Sequence, residues 1–599
     1  MMRIVVLLFL AVLVAGFVIT AILAGTSGEW VWWILVGLTG LLVALGIHDL
    51  AQKRHAILRN FPIVGHARYL FEFIRPEIQQ YFIERNTDGK PFSRDTRSVV
   101  YARAKGVDSH KAFGTELDVN RVGHEYLVHS TAPVAPPSEQ HKVRIGSSQC
   151  TRPYDISLLN ISSMSFGALS SHAVMAMNKG ASMGGFVQET GEGGLTKYHL
   201  EYGADLFWEI GSGYFGCRTE EGRFAPETFR AKASREEVKG ITIKISQGAK
   251  PGLGGVLPAA KINEEIAEAR GVPMGQDCIS PASHPEFSTP RELLEFVALL
   301  RELSGGKPVG IKFCVGSRTD VMAICKAMLE TGTLVDFITV DGAEGGTGAA
   351  PIEYEDHVGT PLTEALMLVH TILVGTGLRE EIRLAAAGKV ASGSDIVKRL
   401  IQGADFTFAA RSMMMATGCI QAQQCHTNHC PVGVTTQNKR LERALDVQDK
   451  GHRVYNYHRL TVTEAGQLMA SMGLTSPEQL NTRMLRRRVN LQSTRSYAEL
   501  FHWLRPKELL ENPPASWVQD WQEADPDHFG EFVPVPYGVP RGVGIEPPRR
   551  EEEPADAVSA PRVEPRNSTK VHPVHQDVTR PEGQPGNQLV DQQHEPQQP

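Results

Sequence analysis

Residues 241–255 read ITIKISQGAKPGLGG, a β-rich apolar run that carries a lysine and breaks at once into a glycine-rich loop. Period-two alternation sends Ile243 and Ile245 to one side of such a strand and Lys244 to the other. The run is one of eight. In chain order ISLLNIS, GFVQET, LFWEIG, ITIKIS, VGIKFCV, DFITVDG, IRLAAAG and DFTFAA punctuate residues 155–410, separated by stretches of helical character. Eight strands alternating with helices predict an α/β protein built on a (β/α)8 TIM barrel. An open doubly wound sheet shares the alternation and is the structural alternative; the count of eight favours the barrel.

A barrel places its chemistry at the C-terminal ends of its strands. The residues following the runs are SMSFGALS (163–170), TGEGG (190–194), QGAKPGLGG (247–255) and DGAEGGTGAAP (341–351). Glycine in these loops lets backbone approach a flat ring or a phosphate closely. Strands seven and eight end in AAAGK (385–389) and FAARS (408–412), where barrels commonly build a phosphate site. The GSD at 393–395 can open a helix whose N-terminus favours an anion. Any one of these loops is explained as an ordinary turn; together they imply a phosphorylated cofactor. Lys244, aimed into the barrel mouth, can stabilise negative charge on a reduced isoalloxazine ring, which makes FMN the natural occupant. Gln247 and Lys250 offer an amide and a cation to an anionic substrate, although each alone is as readily a solvated loop residue.

Residues 419–430 read CIQAQQCHTNHC and are followed by PVGV, so three of the eight cysteines fall within a dozen positions. The C-x5-C-x4-C spacing of Cys419, Cys425 and Cys430 is a metal-ligand arrangement; zinc with His426 or His429 as fourth ligand is one reading of it. Cys150, Cys217, Cys278, Cys314 and Cys325 are scattered and read as small apolar residues.

The ends of the chain depart from its soluble average. Residues 4–24 carry no charge and are long enough to cross a bilayer core of about 30 Å. A second apolar run, residues 30–47, follows after GTSGE, with Trp30, Trp32 and Trp33 suited to the membrane interface. Two spanning helices are expected, with a cleaved signal peptide as the alternative for the first. Arg3 on one flank and Lys53, Arg54 and Arg59 on the other predict a multi-pass protein of the cell membrane whose large domain is cytoplasmic. Cytosolic thiols stay reduced, which further favours a metal or catalytic role for the cysteine cluster. A net charge of −6 with 21% charged residues gives no basic face for nucleic acid. The expected organisation is a transmembrane hairpin (1–50), a connecting region (51–154), the barrel with the cysteine loop (155–474), a C-terminal extension (475–541) and a Pro-, Glu- and Gln-rich disordered tail (542–599).

Taken in order, SMSFGALS, TGEGG, KISQGAKPGLGG, DGAEGGTGAAP and CIQAQQCHTNHCPVGV resemble the glutamate synthases, in their FMN-binding and iron–sulfur region. The resemblance covers residues 155–474. It implies that Cys419, Cys425 and Cys430 bind a [3Fe-4S] cluster, that Lys244 contacts the flavin, and that Gln247 and Lys250 hold 2-oxoglutarate or its imine, with Glu192 completing the catalytic set. The FMN would be cradled by Ser165, Phe166, Gly167 and Ala168, by Gly345 and Gly346, and by Gly388, Lys389, Ala409 and Arg411. Lys389 stands where the family usually has a second glycine, adding a cation to the phosphate site.

Other departures bear on partners. A full glutamate synthase opens with a glutamine amidotransferase domain and closes with a β-helical one; the stretch before this barrel is too short for the first, and a short helical region replaces the second. Ammonia is therefore expected free or from a separate glutaminase subunit. No GxGxxG unit of a nicotinamide domain follows the barrel, so electrons are expected from reduced ferredoxin or a pyridine-nucleotide-oxidising partner. The leading expectation is reduction of 2-iminoglutarate to glutamate. The alternatives are a related synthase that joins methylamine to glutamate, and a membrane electron-transfer component without turnover.

Overall fold

The computed structural model describes residues 2–530 apart from Asp108. The expected disordered tail (542–599) and the end of the C-terminal extension lie outside the described residues. Eight parallel strands close into a barrel: β1 (Leu159–Ile161), β2 (Gln188–Glu189), β3 (Leu206–Ile210), β4 (Val238–Lys244), β5 (Val309–Phe313), β6 (Phe337–Asp341), β7 (Arg383–Ala387) and β8 (Phe406–Ala409). Each pairs with its neighbours in sequence, and β8 returns to β1 through Thr407 opposite Leu159 and Ala409 opposite Ile161. That closure excludes the open sheet. The first apolar run divides: Tyr154–Ser157 pairs antiparallel with Lys142–Ile145, and the barrel proper begins at Leu159.

The inner face of the barrel has two layers. Below, Ile145 and Ile156 of that antiparallel pair are fully buried against Val187, Phe207, Phe337, Phe406 and Phe408, sealing the N-terminal end. Burying each such side chain contributes about 1.5–3 kcal/mol. Two residues further along the same strands the apolar residues give way to Glu189, Glu209 and Thr339, because side chains repeat on one face with period two. Lys312 lies beside both Lys244 and Thr339 in the ladder, so these three share one level of the wall. The outer face carries amphipathic helices. Pro290–Leu303 illustrates why they form where they do: Thr289 accepts from the Glu292 amide, Glu292 bonds back to Thr289, and Leu293, Leu294, Val297 and Leu300 are buried on one stripe.

Before the barrel, α1 (Met2–Ser27) and α2 (Trp30–Ala51) form an antiparallel pair, each long and apolar enough to cross a membrane and each mostly exposed. α1 runs past the expected residue 24, because Thr26 and Ser27 return their hydroxyls to the Ile22 and Leu23 carbonyls. α3 (Gly65–Ile78) follows, extended by a π-helical turn over Gln79–Ile83, and then α4 (Arg94–Lys105), capped by Ser93. Glu125–Leu127 pairs with Leu485–Arg488, so the connecting region and the C-terminal extension share a small sheet. α5 (Val447–Ser471) runs beside the barrel, where its buried His458 stacks on Phe186 at 3.7 Å and meets the Leu159 carbonyl at 3.0 Å.

Candidate active site

The mouth of the barrel is ionic. Lys244, at the end of β4, donates to Glu192 Oε1 across 2.7 Å. Burial pushes the Glu192 carboxyl up, but the charge and hydrogen bond of Lys244, with help from Arg270 and Lys250, outweigh it and leave the carboxyl below its ordinary range. Lys250 is 2% exposed, and among the described residues its ammonium has no hydrogen-bond or ion-pair partner. Burial and the neighbouring Lys244 hold its pKa down while Glu192 pulls it up. A buried cation in that state suits an anionic ligand. Gln247 and Glu192 line one cavity together with Ser165, Ala168, Lys261, Arg270 and Cys425.

A second cluster lies beside the first. Lys312, on β5, donates to Glu209 Oε2 at 2.9 Å and to Ser163 Oγ at 2.6 Å. Ser163 Oγ lies 2.5 Å from Glu189 Oε2 and also against Glu209 Oε2. A hydroxyl has one proton to donate and two lone pairs to accept with. The set is satisfied when Ser163 donates to Glu209 and accepts from Lys312 and from a protonated Glu189. Electrostatics agree: burial raises the Glu189 carboxyl, the charge of Glu209 adds to it, and Lys312 only partly offsets them. Burial works against the Lys312 charge, yet its carboxylate neighbours, Glu209 first, more than reverse that and hold its pKa up. Asp341, at the end of β6, is raised chiefly by burial and accepts from the Gly248 amide at 3.0 Å. Gly248 is required there, because a Cβ would come within 1.9 Å of the Gly342 carbonyl.

The expected cofactor-binding residues all reach the rim. The loop from Ser165 to Ala168 is pinned on three sides: Arg270 donates to Ser165 Oγ at 3.1 Å, Gln437 to the Gly167 carbonyl at 3.1 Å, and Lys261 to the Ala168 carbonyl at 2.8 Å. Phe166 is buried against Tyr198. Arg411 lies over Gly346, where a Cβ would overlap the guanidinium, and donates to the Thr347 carbonyl; Gly345 closes the same loop onto the Gly342 carbonyl. Gly388 and Lys389 follow β7, with Lys389 exposed at a φ of 50°. Ala409 ends β8, and its carbonyl accepts from Ser162. The helix at 393–401 departs from expectation as an anion site. Asp395 occupies the amides of Ala391 and Ser392 at 3.0 and 2.9 Å, and a Cβ on Gly393 would lie 2.7 Å from the Ala465 amide. Its N-terminus carries a carboxylate and abuts α5.

The cysteines sit on the loop after the helix Arg411–Thr417. Gln421 donates its amide to Cys419 Sγ at 3.4 Å, Tyr101 donates to the Cys419 carbonyl at 2.8 Å, and Lys261 donates to the Cys425 carbonyl at 3.2 Å. Burial pushes the Cys419 thiol up to about 11, the Gln421 amide opposes that, and Cys425 and Cys430 add to the rise, so the three thiols lie within electrostatic reach of one another. Among the described residues no three His, Cys, Asp or Glu side chains close around a common point at ligating distance. In kind the donors fit an iron–sulfur group: several thiols on one loop, with a backbone amide aimed at a sulfur. His426 and His429 are exposed. The glycine-backed rim, with Arg411 lying over Gly346, likewise fits a phosphate-bearing flavin.

Lys312, Glu209 and Glu189 were legible in the runs VGIKFCV, LFWEIG and GFVQET by the same alternation that singles out Lys244. Lys261 and Arg270 belong to the long excursion between β4 and β5, and no spacing in the sequence points to them.

Fold and site together define a (β/α)8 enzyme barrel with a charged mouth and a thiol loop opening on the same cavity. The family model described as "Conserved region in glutamate synthase" matches residues 120–475. The glutamate synthase large subunit-like protein YerD of Bacillus subtilis is 37% identical over 471 residues, covering 72% of this chain and 89% of that protein. The archaeal glutamate synthase [NADPH] of Methanocaldococcus jannaschii is 35% identical over 321 residues, 53% of this chain and 60% of its own length. The ferredoxin-dependent glutamate synthase of Antithamnion sp. is 35% identical over 244 residues, 40% of this chain and 15% of that protein. The chain belongs to the glutamate synthase family.

Proposed function

We propose that this chain is a glutamate synthase-type oxidoreductase that reduces 2-iminoglutarate, formed from 2-oxoglutarate and ammonia, to L-glutamate. The observation that carries the reading is the cavity on which Gln247 and Glu192 meet the Cys425 loop, with the Lys250 cation, which has no partner among the described residues, near enough to Glu192 to act on its charge. FMN would be held by Ser165 to Ala168, Gly345, Gly346, Gly388, Lys389, Ala409 and Arg411, and a [3Fe-4S] cluster by Cys419, Cys425 and Cys430. When bound, these groups supply hydride transfer and one-electron transfer respectively.

The chain's own residues supply the rest. Lys250 and Gln247 hold the substrate carboxylates and fix the imine carbon against the ring face, since hydride transfer requires near-contact alignment. Glu192, kept ionised by its neighbours, orients the ammonium of Lys244 toward the mouth. Lys312 places a second positive charge at the same level of the barrel wall. Glu189, its carboxyl raised by burial, stands beside these groups. Reduced ferredoxin or a pyridine-nucleotide-oxidising partner supplies electrons, and ammonia arrives free or from a separate glutaminase subunit. The two apolar helices anchor the chain in the cell membrane with the barrel on the cytoplasmic side.

The test is direct. Purified protein with its flavin reduced should be reoxidised by 2-oxoglutarate plus ammonium, with glutamate formed in step. Reoxidation only with methylamine and 2-oxoglutarate, or with neither pair, would overturn the assignment.

A further inference from the structure

The segment after the apolar hairpin carries a feature the barrel chemistry does not use. α3 and its π-helical extension expose Leu70, Phe71, Phe73, Phe82 and Ile83, with Phe73 80% and Phe82 83% exposed. On a helical projection Phe73, Leu70, Ile74, Ala67, Ile78 and Phe71 fall on one half of the helix, with His66 and Glu77 between Phe73 and Leu70, while Arg68, Glu72, Arg75 and Gln79 fall on the other. The Arg68 to Glu72 ion pair runs along that polar face. A helix mostly apolar on one half, charged on the other and, among the described residues, exposed at Leu70, Phe71 and Phe73 has the form of a segment that lies in the plane of a bilayer surface.

It is tied to the hairpin through a buried carboxylate. Asp49, fully buried at the end of α2, accepts from the Ile63 amide at 2.8 Å and from His66 Nε2 at 2.9 Å. A Cβ on Gly46 would meet Leu10 of α1 at 2.5 Å and Ile63 at 3.3 Å, so both hairpin helices and the start of α3 converge at one point. The other end of the segment touches the cysteine loop. Gln80 donates to the Ile420 carbonyl at 3.0 Å, Gln421 accepts from the Phe92 amide at 3.2 Å, and Gln423 donates to the Lys90 carbonyl at 3.2 Å.

We infer that α3 and its extension form an in-plane membrane anchor, with Leu70, Phe71, Phe73 and Phe82 seated at the acyl boundary of a phospholipid bilayer and Arg68 and Arg75 among its headgroup phosphates. The occupant of the apolar face is the lipid surface into which the chain's own hairpin inserts, and this rests on the hairpin crossing that bilayer. The seat of α3 then fixes how far the thiol loop stands from the membrane.

The full chain, reconstituted into bilayers containing anionic phospholipid, would carry a photocrosslinking benzoylphenylalanine at one position per variant: Leu38 within α2, Phe73 or Phe82 on the apolar face, or Glu72 on the polar face. Lipid adducts at Phe73 and Phe82 comparable to those at Leu38, and their loss at Glu72, are the expected result. Adducts at Leu38 with none at Phe73 or Phe82 would overturn the in-plane anchor while leaving the hairpin reading intact. Absence at all positions would overturn both. Capture of a second copy of the chain at Phe73 or Phe82 would make this face a protein interface and would also overturn the inference. A fold-preserving check is the Phe73→Ser and Phe82→Ser double variant with the probe at Phe71, whose lipid adducts should fall; unchanged labelling at Phe71 counts against the anchor.

Discussion

Lys244 Nζ and Glu192 Oε1 lie 2.7 Å apart, joining the end of the fourth barrel strand to the loop after the second, with both side chains largely withdrawn from solvent. A pair in this setting holds the mouth together because neither charge has water to fall back on. Removing one partner of a buried pair typically costs about 3–5 kcal/mol. Glu192→Gln is therefore expected to lower the thermal midpoint clearly in detergent-solubilised protein. The Glu192 carboxyl is depressed in the fold, so its contribution is present above the ordinary carboxylate range and is lost as pH falls through and below that range. Melting curves from neutral to acid pH should show wild type losing an advantage that Glu192→Gln lacks throughout; parallel curves would mean that the pair contributes nothing.

Lys250 predicts the opposite balance. Its ammonium is buried without a partner among the described residues, so Lys250→Ala should leave melting unchanged or improved. If Lys250 anchors a substrate carboxylate, the same change removes about 2–5 kcal/mol of transition-state stabilisation. Flavin content should stay nearly intact. Turnover of 2-oxoglutarate and ammonium at the wild-type rate, under a matched reductant, would sink the proposed substrate contact.

Glu189 and Glu209 share the Ser163 hydroxyl, but of the two Glu209 takes the hydrogen bond from Lys312. Because burial raises the Glu189 carboxyl, the folded state binds its proton more tightly than the unfolded chain does, and the stability from this residue falls as pH rises through and above the ordinary carboxylate range. Glu189→Gln mimics the protonated form and should melt at or above the wild-type temperature at neutral pH. Glu209→Gln leaves Lys312 without its closest counter-ion and should melt lower. An infrared band of a protonated carboxyl, present in wild type and absent in Glu189→Gln, checks the assignment directly.

Cys425→Ser tests the thiol loop. The loops proposed to hold FMN come from other parts of the barrel, so this variant should lose iron and acid-labile sulfide while keeping much of its flavin. Purified wild-type protein that carries zinc and no labile sulfide would refute the iron–sulfur reading.

Lys389 occupies left-handed backbone at a φ of 50°, a conformation that costs a side-chain-bearing residue about 1 kcal/mol relative to glycine. Lys389→Gly should thus raise stability by roughly 0.5–1 kcal/mol, the gain being trimmed by the greater freedom of glycine in the unfolded chain. Should its cation serve the cofactor phosphate, flavin affinity falls in the same variant, and titration of the apoprotein with FMN measures that separately.

Much of this protein was legible in its residues. Eight apolar runs with intervening helical stretches set the barrel, and the alternation in ITIKIS aimed Lys244 at its interior, because side-chain direction in a strand is a local property with period two. The same argument applied to VGIKFCV would have aimed Lys312 there as well. The rim loops and the C-x5-C-x4-C loop were likewise local signals. What the sequence could not carry were relationships between segments far apart in the chain. Nothing in ISLLNIS says that Tyr154–Ser157 folds under the barrel while Leu159–Ile161 enters it, since both halves are equally apolar and the division depends on which strand each one meets. The helix at 393–401 begins with residues suited to an anion, yet its capping Asp395 and its packing against α5 close that end. Lys261 joins the Ala168 loop to the Cys425 loop only because the excursion after β4 folds back over the mouth. Local pattern thus determined the elements and the chemistry available to them; the closing of the barrel, which brings residues hundreds of positions apart into one low-dielectric mouth, decided which charges pair and which cation, among the described residues, is left without a partner.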